Sequence, residues 1–453
     1  MNVSAPTPAV ATANWPTSRV EEDANDGSRA RTFTLGHAVA MGLTLTLLQV
    51  AGVLAIAHFS GRLASEGLPA ALCQWDGKLY LHVAEHGYLT TIPPTPHDVE
   101  RSNVAFFPGY PLAGRAVSNV LGVSPKAGLV LAAQLAAWGF WIYWLLMLKR
   151  VGASTRAGLA ATLVVACHPA AFFLVVAYSE SFFMCAMLGF FYWLSRSDRR
   201  LWCVAALHGI VMTGTRLGGL PVVFCPLTVH GLSEVWSGLA AIGERRRFLS
   251  NKVPGIIKSN LPLAVVAIVA SLGGLGFFAY CQVRFGVWNL YLQTQQLNWS
   301  VSADWLWWLR PTTYISWAST LYPNSLWPDD VSRLCVLITL PAIGWAAWST
   351  IQGVRQQTHG SLGRATLCLA ALVIFYLHAA GVSPIVMKSM IRYGLPVHVL
   401  LLLVACGGDW TRRVSLTRLQ QRQRAFALAV GLMVLFSLQA ALAWRFFSGE
   451  WAA

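Results

Sequence analysis

The chain has 453 residues, of which 56% are hydrophobic and 11% are charged, and its mean hydropathy is +0.54. A soluble domain carries about 25% charged residues, so a water-facing globule is excluded and lipid is the expected solvent. The net charge of +15 does not indicate nucleic-acid binding, because the basic residues lie in short clusters between apolar runs, as they do in cytoplasmic loops.

The N-terminal residues 1–35 are rich in Ala, Pro, Thr, Ser and charged residues, and they show no apolar period. This composition predicts a disordered cytoplasmic tail. The first apolar run starts near Gly36 and is too long for the apolar core of a signal peptide, so it is predicted to be a membrane span.

A helix that crosses the hydrocarbon core needs about 20 apolar residues. Runs that reach or approach this length lie at 36–58, 127–147, 157–176, 180–195, 261–281, 334–351, 365–380, 393–407 and 425–445. The stretch 201–232 is broken at Thr215-Arg216 and at Gly218-Gly219, which predicts two short spans, although a single tilted helix also fits the sequence. The predicted fold class is therefore an all-α polytopic membrane protein with about 11 transmembrane helices.

Placing the N-terminus in the cytoplasm puts the basic clusters inside and the two long loops outside. This predicts an N-terminal transmembrane module at 36–232, whose first outer loop spans 59–126, and then a cytoplasmic loop at 233–259. A C-terminal transmembrane region follows at 260–453, with a Trp-rich outer loop at 282–333. The predicted location is the cell inner membrane, with multiple passes. Eight of the nine cysteines lie in or at the ends of apolar runs and are expected to be packing residues.

The first outer loop contains the residue most suited to catalysis, Asp76. It follows Trp75 and precedes a helix-like stretch at 78–86, and a second amphipathic stretch lies at 112–121. Such helices are expected in the membrane interface. A carboxylate there can take a proton from an acceptor hydroxyl. The alternative is that Asp76 serves as the N-cap of the short helix, and one residue can do both.

Three residues at the end of that helix-like stretch are also candidates. Glu85 and His86 face the same loop, and His82 precedes His86 by one helical turn, a spacing seen between two metal ligands. No third ligand is evident, so no cofactor is firmly implied, and the sequence leaves open a divalent cation.

The fourth apolar run begins with Tyr178-Ser179-Glu180-Ser181 at its predicted outer end. Ser179 can cap the helix, and an acidic residue in the first turn suits the helix dipole. A carboxylate at the membrane edge is nevertheless a candidate functional group, and Glu180 is predicted to lie on the same side as Asp76.

Three cations also lie at predicted outer ends of spans. Arg216 stands where the run 201–232 is broken, and this position opposes the positive-inside preference, so a partner is expected to stabilise it. Lys388 and Arg392 are four residues apart, and on one helical face they could bind a phosphate. Contact with lipid headgroups is the alternative for this pair.

Several motifs resemble the PIG-V (GPI mannosyltransferase II) family. They run in order from about 75 to 395 and comprise Trp75-Asp76-Gly77-Lys78-Leu79-Tyr80, Gly87-Tyr88, Ala105-Phe106-Phe107-Pro108-Gly109-Tyr110-Pro111-Leu112, Pro169-Ala170-Ala171-Phe172-Phe173, Tyr178-Ser179-Glu180-Ser181, Thr215-Arg216, and Arg392-Tyr393 before Leu395-Pro396. The resemblance implies a GT-C-type glycosyltransferase that uses a polyprenyl-phosphate sugar, usually mannose, with inversion. It implies that Asp76 lies at the catalytic centre and that Arg216, Lys388 and Arg392 hold the donor phosphate. The residues predicted to bind substrate or support the site are Trp75, Glu85, His86, Tyr88, Phe107, Tyr110, Tyr178, Glu180 and Tyr393.

The leading prediction is therefore a membrane glycosyltransferase acting on the extracytoplasmic face, with a polyprenyl-phosphate sugar as donor and a lipid or glycan as acceptor. The basic cytoplasmic segments resemble a bacterial inner-membrane protein, so the reaction class carries over from the family more directly than the acceptor. The runner-up is a transporter or lipid flippase, which broken helices and intramembrane charge also suit, although no internal repeat is visible. A third hypothesis is a non-catalytic subunit that binds donor without turning it over.

Overall fold

The computed structural model describes residues 33–96, 98, 101–240, 245–315, 327–356, 358, 360–408 and 418–450. Within these ranges the chain forms α-helices and short 3-10 turns and contains no strand. Most of the predicted tail at 1–35 lies outside the described residues, as do parts of the predicted loops at 233–259 and 282–333.

The helices of the N-terminal half begin with one long span and continue through the first long loop, predicted at 59–126. They are α1 (Leu35–Phe59), α2 (Arg62–Glu66), α3 (Leu68–Leu72), α4 (Asp76–His86), α5 (Gly109–Leu121), α6 (Pro125–Arg150), α7 (Thr155–Ala166), α8 (Glu180–Leu194), α9 (Trp202–Thr215), α10 (Gly219–Val222) and α11 (Cys225–Ala240). The two helices predicted in the first loop are confirmed as α4 and α5, and two shorter ones precede them.

The C-terminal half has longer helices, with short helices in the loop predicted at 282–333. Its helices are α12 (Arg245–Phe285), α13 (Leu290–Trp299), α14 (Thr312–Ile315), α15 (Trp327–Arg355), α16 (Ser361–Val382), α17 (Met390–Cys406) and α18 (Arg418–Phe447). The all-helical fold class is confirmed.

Six helices in the described part of the chain are long and apolar enough to cross a membrane: Leu35–Phe59, Pro125–Arg150, Pro254–Phe285, Trp327–Arg355, Ser361–Ile385 and Leu419–Phe447. Three shorter apolar helices, α7, α8 and α17, lie among them. The chain is thus a multi-pass membrane protein, while the predicted count of about 11 spans stays a prediction.

Two predicted runs differ from the observed helices. The run 157–176 does not form one helix, because α7 ends at Ala166 and Pro169 follows; the residue before a proline is disfavoured in the helical region. The segment 233–259 is largely helical, since α11 continues to Ala240 and α12 begins at Arg245. Arg, Lys and Leu are good helix formers, so a helix can continue beyond the apolar part of its sequence.

The predicted break in 201–232 is confirmed. The helix α9 ends at Thr215, Arg216 is extended (φ −150°, ψ 141°), and α11 does not begin until Cys225. In the core, α9 packs against α8 and α12, α6 packs against α1, α5 and α8, and α16 packs against α17. These contacts bring the starts of α4, α8 and α17 and the end of α9 to one place.

Candidate active site

The turn that precedes α4 sets the position of Asp76. The N–H of Gly77 donates to the carbonyl of Gln74 over 2.8 Å, and Trp75 between them has φ 52° and ψ −121°, the conformation required at the first central position of a type II′ turn. Glycine is normally needed there, so Trp75 holds a strained backbone. The N-cap of α4 is Trp75, which makes no side-chain cap bond, and Asp76 is the first helical residue. The N-cap alternative for Asp76 is therefore wrong.

Two glycines allow the backbone segments around the site to approach closely. A Cβ at Gly77 would lie 3.1 Å from the carbonyl oxygen of Ala177, and a Cβ at Gly109 would lie 2.7 Å from Oγ1 of Thr215. Gly77 thereby brings the start of α4 to the segment before Glu180. Gly109 brings the start of α5 to the residue before Arg216.

Four charged side chains from four helix ends meet in one cluster. Nη1 of Arg392 lies 2.8 Å from Oδ2 of Asp76, and Nε of Arg392 lies 2.8 Å from Oε1 of Glu180. The same Oε1 lies 2.5 Å from Nη2 of Arg216. Two carboxylates and two guanidinium groups give the cluster a formal charge of zero. We refer to Asp76, Glu180, Arg216 and Arg392 as the charged cluster.

The two carboxylates of the charged cluster differ in exposure. The Glu180 side chain is 1% exposed, whereas that of Asp76 is 12% exposed. Oε1 of Glu180 makes two close ion pairs, yet no described group meets hydrogen-bond geometry with either carboxylate oxygen, so charge rather than directed bonding holds Glu180 in place. Asp76 is the carboxylate that a substrate could reach, and Glu180 is suited to holding the two arginines.

Ser179 links Arg216 to the first loop. Its Oγ accepts a hydrogen bond from Nε of Arg216 at 3.0 Å and lies 2.8 Å from the hydroxyl of Tyr80 in α4. Burial raises the pKa of Tyr80, which keeps this hydroxyl protonated. Ser179 occupies the predicted N-cap position of α8, but its side chain makes no cap bond to that helix. The partners expected for Arg216 are therefore Glu180 and Ser179.

Aromatic rings surround the guanidinium group of Arg392. Its central carbon lies 5.6 Å from the ring centre of Phe173, 5.3 Å from that of Tyr178 and 5.2 Å from that of Tyr393. Ring faces attract a cation without supplying a competing anion.

Two of the rings near the charged cluster have further contacts. The Tyr178 hydroxyl accepts a hydrogen bond from the backbone N–H of Asp76 at 3.3 Å. Tyr393 stacks on His378 of α16, with 4.5 Å between ring centres, and His378 is not among the predicted site residues. A single histidine between apolar residues in the sequence does not indicate such a contact.

The segment before α17 has an unusual backbone. Val386, Met387 and Ser389 all have positive φ, at 58°, 59° and 66°. Lys388 is exposed and precedes the first helical residue, Met390, whereas Arg392 is 6% exposed. The prediction that Lys388 and Arg392 share a helical face is therefore wrong, because the helix begins between them. The structure does not bring Lys388 into the charged cluster.

Glu85 and His86 are not part of the charged cluster either, because both are exposed at the far end of α4. The His82 and His86 rings lie 4.8 Å apart, and Nδ1 of His82 lies 2.9 Å from the side-chain amide of Asn103. No group of three His, Cys, Asp or Glu side chains suited to a metal ion occurs in the described part of the chain.

Three predicted supporting residues make packing contacts around the first loop. The Tyr88 hydroxyl donates to the carbonyl of Phe106 at 2.6 Å, and the Tyr110 hydroxyl donates to that of Leu129 at 2.9 Å. Phe107 is buried against Phe277, with ring centres 4.9 Å apart. These contacts hold the three residues within the packed first loop. Trp75 is half-buried beside Asp76.

Residues of the loop predicted at 282–333 pack on those of the first loop. Nε2 of Gln295 in α13 donates to the carbonyl of Ala105 at 2.8 Å, and Nδ2 of Asn298 donates to that of Ser102 at 3.3 Å. The ring of Trp299 meets that of Phe106 edge to face, with 5.6 Å between centres. The sequence of this Trp-rich loop does not indicate that the two amides make these contacts. Residues 316–326, which include Trp317, lie outside the described residues.

Comparison with known proteins identifies relatives that carry a named activity. No family model matches the chain. The chain is 30% identical over 227 residues to GPI alpha-1,6-mannosyltransferase 2 of Cricetulus griseus and 32% identical over 229 residues to that of Homo sapiens. Each match covers 48% of this chain and 42% of the relative, so the chain spans less than half the length of these relatives in the matched part.

Solved structures with a similar arrangement of helices come from an Archaeoglobus fulgidus oligosaccharyltransferase. The complex with an inhibitory peptide and a dolichol-phosphate matches at 12% identity with a TM-score of 0.44, over 91% of this chain and 56% of that one. The apo form matches at 13% identity with a TM-score of 0.46, over 93% and 57%. The sequence relatives, over about half of this chain, confirm its predicted resemblance to the GPI mannosyltransferase II (PIG-V) family.

Proposed function

We propose that the chain is a GT-C-type membrane glycosyltransferase that moves mannose from a polyprenyl-phosphate donor to an acceptor hydroxyl. The observation that carries the proposal is the contact between Asp76 and Arg392, which joins a candidate base to a candidate phosphate-binding group. The activity named for the relatives, a mannosyltransferase, supports the choice of sugar.

Asp76 is the proposed general base. Its side chain is 12% exposed while that of Glu180 is 1% exposed, so an acceptor hydroxyl can reach Asp76 far more readily. Asp76 takes the hydroxyl proton as the hydroxyl oxygen attacks the anomeric carbon of the sugar. The bond between that carbon and the phosphate oxygen breaks, and its electron pair leaves with the polyprenyl phosphate. Because attack comes from the face opposite the leaving group, the sugar is transferred with inversion.

Arg216 and Arg392 are the proposed partners of the donor phosphate. A guanidinium group can make paired hydrogen bonds to phosphate oxygens and stabilises negative charge where it develops. Both groups are largely buried, at 12% and 7% side-chain exposure, so their interaction with a phosphate is weakly screened by water. Lys388 is predicted to bind the same phosphate, and its exposed position outside the charged cluster limits it to the approach of the headgroup.

The extracytoplasmic face is the proposed side of the reaction. The helix α8 begins with Glu180 in the charged cluster and ends at Leu194, next to Arg196 and the Arg199-Arg200 pair. The charged cluster and these basic residues thus lie at opposite ends of one helix. Since basic residues favour the cytoplasmic side, this supports an outward-facing site in the cell inner membrane.

The test is incubation of the purified chain with a panel of polyprenyl-phosphate sugars, with sugar transfer or release as the readout. We expect turnover with a mannose donor and a loss of about 100-fold or more in Asp76→Asn, since general base catalysis contributes about that much. Asp198→Asn is the matched control, because Asp198 is exposed and lies beyond the end of α8 that is opposite to Glu180, where its side chain accepts a hydrogen bond from the N–H of Arg200. Normal turnover by Asp76→Asn would exclude Asp76 as the base. Movement of labelled lipid across vesicles without sugar release would favour the flippase instead.

A further inference from the structure

Arg392 is the member of the charged cluster that contacts both carboxylates. It reaches Asp76 through Nη1 and Glu180 through Nε, whereas Arg216 contacts Glu180 and Ser179. We infer that Arg392 couples the two halves of the transfer reaction. As Asp76 takes up the acceptor proton, it releases Nη1 of Arg392, which then binds the departing phosphate. This inference rests on the proposed function and deepens it.

The charges of the reaction support this exchange. The charged cluster is formally neutral, and a phosphodiester-linked sugar brings one negative charge. When the acceptor proton moves to Asp76, the cluster gains one positive charge, while the phosphate leaves as a monoester with two negative charges. The total stays at minus one throughout. The positive charge gained at Asp76 and the negative charge gained by the phosphate therefore cancel. Arg392 is the cation next to Asp76, the residue whose charge changes.

Contacts of Arg392 that do not change during the reaction keep it in place. Its Nε remains 2.8 Å from Glu180, a carboxylate with 1% exposure that a substrate proton cannot reach readily. The rings of Phe173, Tyr178 and Tyr393 lie 5.2–5.6 Å from the guanidinium carbon. With these contacts retained, the planar guanidinium group stays in place, and its Nη1 donates to a phosphate oxygen once the protonated Asp76 no longer competes for it.

Burial makes the exchange sensitive to the charge on Asp76. The Arg392 side chain is 7% exposed and the Asp76 side chain 12% exposed, so the attraction between them is weakly screened. Removing the charge on Asp76 removes most of what holds Nη1 there. A buried cation that loses one of its anions gains more from a new one than an exposed cation does.

Binding of the product isolates this step from turnover. The test is the affinity of the purified chain for a short-chain polyprenyl phosphate in detergent. The corresponding polyprenol is the probe for the lipid tail alone. Asp76→Asn mimics the protonated base, and we expect it to bind polyprenyl phosphate at least tenfold more tightly than the unchanged chain. Affinity for the polyprenol should not change. Asp198→Asn, which changes an exposed carboxylate beyond the end of α8 that is opposite to Glu180, should leave both affinities unchanged.

Arg392→Lys separates coupling through Arg392 from simple repulsion between Asp76 and the phosphate. Lysine keeps the charge but cannot contact Glu180 and a second anion through two nitrogens of one planar group. If Arg392 is the coupling residue, the tenfold gain from Asp76→Asn falls to about twofold or less in the Arg392→Lys background. An equal gain in both backgrounds, or no gain in Asp76→Asn, would overturn the inference.

The remaining outcomes are also decisive. Loss of transfer in Asp76→Asn without tighter product binding would overturn the coupling and leave the proposed base standing, whereas normal transfer would remove the proposed base. Should Asp76→Asn fail to fold, Asp76→Ala removes the same charge and carries the same expectation. If neither variant folds, the contact between Asp76 and Arg392 is required for the native state, and its exchange during each turnover is excluded.

Discussion

Arg392 lies 2.8 Å from Asp76 although 316 positions separate the two residues in the chain. One comes from the first turn of a short helix in the outer loop and the other from the start of α17. Glu180, at the start of α8, joins Arg392 to Arg216 at the end of α9. The charged cluster therefore joins four segments that are far apart in the sequence. A change to each of its members has its own expected effect.

Glu180→Gln should destabilise the protein. Glu180 is 1% exposed and pairs with both arginines, so its removal leaves two buried guanidinium groups with Asp76 as the remaining carboxylate of the charged cluster. Breaking a buried ion pair by removing one partner costs about 3–5 kcal/mol. We expect a clear fall in the unfolding temperature of the purified chain in detergent.

Glu450→Gln is the matched control for this change. Glu450 pairs with Arg445 at 2.8 Å but is 57% exposed, and exposed pairs contribute about 0–1 kcal/mol. Equal unfolding temperatures for Glu180→Gln and Glu450→Gln would mean that Glu180 does not hold the two arginines.

Ser179→Ala and Ser181→Ala should behave differently, although the two serines are buried two positions apart. Ser179 contacts both Arg216 and the Tyr80 hydroxyl, so its loss leaves buried polar groups without a partner, at about 1–3 kcal/mol. The Ser181 hydroxyl is buried without a hydrogen-bond partner among the described groups, so alanine there should be neutral or stabilising. Chemical or thermal unfolding of both variants measures the difference, and an equal cost would contradict the role of Ser179.

The sequence predicts most of the helices and includes the four members of the charged cluster among its candidate residues, but it does not predict which candidates meet. Apolar runs, the break at Arg216 and the motif around Asp76 follow from composition and spacing, because these are local signals. The end of α7 before Pro169 is not predicted, because the apolar run continues past it. The backbone polar groups at this break form hydrogen bonds inside the protein.

The pairings depend on tertiary contacts that no local pattern encodes. Lys388 and Arg392 have helical spacing, yet the helix begins between them at Met390. Ser179 has the composition of a cap but bonds across to Arg216 instead. His378 meets Tyr393 only because α16 packs against α17.

Ser389→Gly should stabilise the protein. Ser389 has φ 66° and ψ 6°, a left-handed conformation in which a side chain is unfavourable, and its side chain makes no cap bond to α17. Relief of this strain is expected to add about 1 kcal/mol. The unfolding temperature should rise. Ser332→Gly is the control with the opposite sign, since Ser332 is helical and its hydroxyl accepts a hydrogen bond from the N–H of Ile391. A fall in both variants would mean that the backbone at Ser389 is not strained.

The predicted orientation can be tested by labelling cysteines with a membrane-impermeant maleimide. Cys203 is exposed near the start of α9, which is predicted to lie in the cytoplasm. Cys73 in the first outer loop is 1% exposed, and burial raises its pKa to about 12, so it stays a protonated, unreactive thiol at neutral pH.

Arg101→Cys in a Cys203→Ser background supplies the outer reporter for the same experiment, because the Arg101 side chain is 77% exposed in the first loop. In intact spheroplasts, the maleimide should label the Arg101→Cys variant, whereas Cys203 of the unchanged chain should stay unmodified. In inverted vesicles, Cys203 should be labelled and the Arg101→Cys variant should stay unmodified. The reverse pattern would put the charged cluster on the cytoplasmic side. A polyprenyl-phosphate donor would then have to present its sugar to the cytoplasm, and the positive-inside argument for this chain would fail together with the proposed side of the reaction.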